Sequence, residues 1–109
     1  MRIGVCLCVA IVLLPVLVGS ALAQPTNPER GRDISQKLCT NCHATEARPS
    51  GPMRADVPSF AAIAARPDNS AERIAGRIII PHPAMPDARL TVAEIRDIVA
   101  YILSLKPQK

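Results

Sequence analysis

A chain of 109 residues has room for one small domain. With one Phe and one Tyr as its only aromatics, it would build a poor core unless some apolar group other than a side chain helped to fill it. Lys and Arg exceed Asp and Glu by 13 to 9. The basic residues are scattered, with no basic run and no interleaved aromatic platform, which argues against a nucleic-acid-binding surface.

Arg2 opens a segment that is almost wholly apolar from Ile3 to Val18, broken by Gly4 and Pro15, and Ser20-Ala21-Leu22-Ala23 then presents small residues. This is the order of a secretory signal peptide cleaved after Ala23. Residues 1–23 are therefore expected to be removed and residues 24–109 to form the domain. An uncleaved membrane anchor is the runner-up, disfavoured because the apolar stretch is short and no basic flank follows it. Cys6 and Cys8 would leave with the signal. What remains is 86 residues with 12 basic and 9 acidic side chains and two cysteines. An oxidising compartment then finds no spare thiols to join.

Asn27 is a good cap and Pro28 a good first residue for a helix expected over 28–38, with Glu29 at its positive end. Ile34 and Leu38 share one face of it. Gly31 is unfavourable inside a helix by about 1 kcal/mol relative to alanine.

Next comes Cys39-Thr40-Asn41-Cys42-His43. Two thiols three positions apart lie on one side of a helical turn, where both can add to the vinyl groups of one haem. The imidazole directly after them can turn onto the iron. Cys-x-x-Cys-His is the attachment pattern of a c-type haem. A thioredoxin-like dithiol wants a strand before it, and no β-rich segment precedes Cys39. A zinc site wants a second Cys/His pair, whereas residues 24–109 offer only His82 in addition. Redox dithiol and metal knuckle stay as lesser readings.

Residues 44–54 read as a loop through Pro49, Ser50, Gly51 and Pro52. A second helix is expected over 58–65, with Phe60, Ile63 and Ala64 on one face. Ser70 caps a third over 71–79, and Ile74 and Ile78 on it can face a haem pocket. Ile78-Ile79-Ile80 is compatible with a short strand, but no partner strand exists. The segment Pro81-His82-Pro83-Ala84-Met85-Pro86 cannot be helical, because proline removes donors and biases its predecessor to extended backbone. Such a strap suits holding the Met85 thioether over a flat face. Met53 lies only ten residues after His43, too short a path to the opposite face. His82 is the alternative ligand, and a plain core role is the bland reading of Met85. Thr91-Val92-Ala93-Glu94 has the capping-box pattern. It starts a last helix expected over 92–105, with an apolar stripe of Ile95, Ile98, Val99, Ile102 and Leu103. Arg96 and Asp97 are expected to face outward and Tyr101 to lie at the stripe's edge.

The attachment motif, Gly51-Pro52, Met85-Pro86 in a loop and the terminal amphipathic helix together resemble a small bacterial class I cytochrome c, over nearly all of residues 24–109. The resemblance implies an all-α, cytochrome c-like fold. Three to four short helices would surround one covalent haem c, with the N- and C-terminal helices crossing. It implies that Gly31 permits that crossing, that Tyr101 packs on the first helix, and that the Pro52 carbonyl accepts a hydrogen bond from His43. It implies haem attachment after export, hence a periplasmic protein. With His43 and Met85 as axial ligands the iron has no open position, and the chemistry left is one-electron exchange by a non-enzymatic carrier. A monomer meeting redox donor and acceptor proteins transiently is expected, with membranes reached only through those partners. Lys37, Arg48, Arg54 and Arg89 are candidate rim charges. The alternatives are a cytochrome subunit of a dehydrogenase or oxidase complex, and a sensor or peroxidase with an open iron site.

Overall fold

Four helices carry the chain in the computed structural model, which describes residues 24–51 and 54–107. They are α1 (Pro28–Leu38), α2 (Phe60–Ala65), α3 (Ala71–Ile79) and α4 (Val92–Ser104), with no strand among the described residues. The expected secretory segment, Pro52 and Met53 lie outside them. No helix among the described residues is long and apolar enough to cross a membrane.

Each helix starts where a short polar side chain accepts an otherwise orphaned backbone N–H. Asn27 takes that of Arg30 on α1, Ser59 that of Ala62 on α2 and Ser70 that of Arg73 on α3. On α4 the capping box is complete: Thr91 accepts from Glu94 N–H, and the Glu94 carboxylate accepts from Thr91 N–H at 2.8 Å. The bounds of α1 and α3 match expectation. α2 starts two residues later than the sequence suggests, because Ser59, in extended backbone, is the cap and Pro58 precedes it. α3 runs through Ile79, and Ile80 takes the C-cap, which removes the strand alternative.

α4 forms the spine, and α1, α2 and α3 all rest on it. Ile95, Ile98, Val99, Tyr101 and Ile102 bury one side of α4 against Phe60, Ala64 and Ile74, with Ile34, Ile63, Ile78 and Leu103 partly buried around them. α1 crosses α4 at Gly31. A Cβ there would strike the Asp97 carbonyl and come within 2.8 Å of Ile98 N. The glycine is what lets the two backbones touch.

Asp97 faces inward, contrary to the expectation that it points to solvent. It is 5% exposed and accepts the Asn27 N–H at 2.7 Å and the Arg30 guanidinium at 3.3 Å. The start of α1 leaves backbone donors unsatisfied, and here a carboxylate from the crossing helix accepts one. Tyr101 is inside the core, as its expected packing role requires, and more enclosed than an edge position suggests. Leu38, by contrast, leaves the face it shares with Ile34 and is about half exposed.

Candidate haem site

The attachment motif continues α1 as a tight turn. Cys39 N–H donates to Ser35 O at 2.8 Å, and Cys39 O then accepts both Cys42 N–H at 3.2 Å and His43 N–H at 2.9 Å. One carbonyl thus gathers the second thiol and the imidazole over a single turn beside the first thiol. Both cysteines are free and part-exposed. Cys39 leans on the core, and this burial pushes its thiol pKa up, with the Ser35 hydroxyl opposing.

His43 is oriented from behind. Its Nδ1 lies 2.7 Å from the carbonyl oxygen of Pro58. A carbonyl only accepts, so Nδ1 carries the proton; in the neutral imidazole Nε2 is then the nitrogen with the lone pair. Phe60 flanks the imidazole with ring centroids 5.6 Å apart. An open cavity of about 220 Å³ adjoins the motif, with Cys42, His43, Thr45, Pro49 and Arg54 in its wall. Arg54 makes bonds of 2.8 and 3.2 Å to Asp56. That partner raises the pKa of the guanidinium and lowers that of the carboxyl.

The strap after α3 holds Met85. Met85 N–H donates to His82 O at 3.0 Å, with Pro83 next and Ala84 at φ 70°. This is the pattern of a type II turn, so the strap is tighter than the extended segment its prolines suggest. Met85 and His82 are both part-buried. Among the described residues the Met85 thioether makes no hydrogen bond to the motif.

The structure therefore brings Cys39, Cys42 and His43 together on one turn and carries Met85 on a separate strap. Pro52 lies outside the described residues. The carbonyl that meets His43 is that of Pro58, which sequence reasoning missed. Any residue supplies a carbonyl, and only the cap at Ser59 hints that the chain turns back there. The donor set fits a covalent haem: two free thiols on one turn, and an imidazole whose Nδ1 is engaged by a backbone carbonyl.

The family described as cytochrome c matches residues 28–106. The chain is 40% identical over 104 residues to cytochrome c-552 of Bradyrhizobium diazoefficiens, covering 95% of this chain and 94% of that one. No solved structure matches it.

Proposed function

The chain belongs to the cytochrome c family, and from that premise we propose that it is an exported, periplasmic carrier of single electrons with His43 and Met85 as axial ligands. Its cofactor is covalently bound haem c, and Cys39 and Cys42 fit the attachment motif. The observation that carries the proposal is the His43 Nδ1–Pro58 O bond of 2.7 Å. It leaves Nε2 as the free donor beside two thiols on the same turn.

The haem, when bound, supplies one reversible electron. The chain's residues do the rest. Cys39 and Cys42 anchor the ring. His43 donates from Nε2, made more basic by its hydrogen bond to Pro58. The Met85 thioether is delivered by the His82–Met85 turn and favours a high potential. With His43 and Met85 both holding the group, no coordination site would be left for substrate. Residues 1–23 act as the export signal, and attachment follows export. Donor and acceptor proteins meet a single chain through small, polar contacts, with exposed Lys37, Arg48, Arg54 and Arg89 at the rim.

The test is the absorption spectrum of the exported protein, oxidised and reduced, with and without carbon monoxide. The expected result is a far-red sulfur-to-iron band in the oxidised form, absent in Met85→Ala, and no carbon monoxide shift in the unaltered protein. A high-spin spectrum that shifts with carbon monoxide would replace the carrier with a sensor or peroxidase. Elution with a lasting partner in native extract would make the chain a complex subunit.

A further inference from the structure

Three consecutive residues directly after His43 are each tied to a different helix. The Ala44 carbonyl accepts the N–H of Phe60, the first residue of α2, at 2.9 Å. The Thr45 carbonyl accepts the hydroxyl of Tyr101 on α4 at 2.8 Å. The Glu46 carboxylate accepts Gln36 Nε2 at 2.9 Å and Arg32 at 3.4 Å, both from α1. Of the three, the Tyr101 bond is the enclosed one. Thr45 is 2% exposed and Tyr101 7%, so loss of the hydroxyl leaves a buried carbonyl without that partner, which is costly in a low-dielectric interior. The Phe60 ring stands between, 6.4 Å from the Tyr101 ring and 5.6 Å from the His43 ring.

We propose that Tyr101 is a positioning residue for His43: its hydroxyl holds the Thr45 carbonyl, and so fixes the angle at which the imidazole meets Pro58 O. The inference rests on His43 being the axial ligand. The argument is one of degrees of freedom. The Pro58 carbonyl lies 15 residues along the chain from His43, across a loop with few internal ties among its described residues. A bond to it stays short only if the backbone on the His43 side is immobile. Residues 39–43 are fixed by the motif turn, and residues 44–46 by the three ties. Tyr101 supplies the middle tie from the best-buried helix of the fold. A firm Nδ1–H···O bond makes the imidazole more basic, which favours oxidised iron. Loosening it raises the potential.

The test is Tyr101→Phe in the haem-loaded protein, which removes one oxygen and keeps the ring. The expected result is a rise in reduction potential and at least a tenfold faster exchange of the His43 Nδ1 proton by NMR, with haem content and the far-red band retained. Ile102→Val, a buried change on the same helix without a bond to the loop, serves as the comparison and leaves both readouts in place. Unchanged exchange and potential in Tyr101→Phe would overturn the inference, as would equal changes in Ile102→Val. If Tyr101→Phe fails to load haem, 3-fluorotyrosine substitution replaces it. The chain has one tyrosine, so only this hydroxyl becomes a stronger donor, and the Nδ1 proton resonance must move. A fixed resonance overturns the inference. Loss of His43 ligation in the unaltered protein, seen in its own spectrum, would instead defeat the functional proposal.

Discussion

The crossing of α1 over α4 makes Gly31→Ala the sharpest test of the packing. The added methyl would meet the Asp97 carbonyl and lie 2.8 Å from Ile98 N, both backbone atoms that no rotamer change can move. Ordinary non-bonded carbon contacts lie near about 3.5–4.0 Å, so the helices must separate by roughly 1 Å or more. Overpacking of this kind costs about 1–3 kcal/mol. Separation also stretches the 2.7 Å bond from Asn27 to Asp97, and a buried polar group losing its partner costs about 1–3 kcal/mol more. Against this, alanine gains about 1 kcal/mol of helix propensity. The net is a loss near 3 kcal/mol, or roughly 12–24 °C in melting temperature for a domain of this size. Gly76 on α3 is the control, because a Cβ there has nothing within 4 Å. Gly76→Ala therefore keeps the propensity gain and is expected to match or slightly exceed the unaltered protein. Thermal melts of the three proteins, followed by helix signal, decide the matter. A Gly31→Ala protein as stable as Gly76→Ala would refute the close crossing.

Two further perturbations probe the helix ends. Asp97→Ala leaves the Asn27 N–H without its acceptor and frees Arg30. It is expected to lower stability by about 1–3 kcal/mol in denaturant titration and to speed amide exchange at the start of α1 before that of α4. The carboxyl of Glu94 has a lowered pKa, held down first by the Thr91 N–H and then by the Thr91 hydroxyl. A carboxylate with a lowered folded pKa contributes stability above its unfolded pKa and loses it as pH falls through the folded one. Acid titration of Glu94→Gln should therefore show a shallower fall in stability below about pH 4.5. An unaltered slope would mean that the capping box carries no pH dependence.

The helices were legible because their signals are local. Asn27-Pro28, Ser70 and the Thr91/Glu94 box place three starts by side chains that can be named in advance. The stripe Ile95, Ile98, Val99, Ile102 states which side of α4 is inward. The attachment motif was legible for the same reason: its thiols and imidazole are five residues of one turn. Asp97 was misread because charge alone suggests solvent. Its acceptor role depends on where another helix begins, 70 residues earlier, and no period within α4 encodes that. The core role of Tyr101 was legible, but its hydroxyl's partner was not, because that loop carbonyl lies 56 residues upstream.

Pro58 marks a different kind of limit. A side chain that binds a proton, a metal or a thioether must be one of a few residue types, so the sequence narrows the candidates. A backbone carbonyl belongs to every residue, and only the path of the loop selects one. The chain between His43 and α2 contains Pro49, Pro52 and Pro58, and each would present a carbonyl from a stiffened backbone. The choice falls on Pro58 because Ser59 caps α2 and Phe60 N–H is bonded to Ala44 O. Together they return the chain to the residue next to His43. The cap that starts α2 and the carbonyl that orients the imidazole are consecutive, so the helix start also places the imidazole's acceptor. Moving the cap by one residue, as Ser59→Ala would encourage, should weaken the His43 Nδ1 bond as well as α2. A protein in which α2 frays while that Nδ1 proton stays protected would show that the two are not coupled.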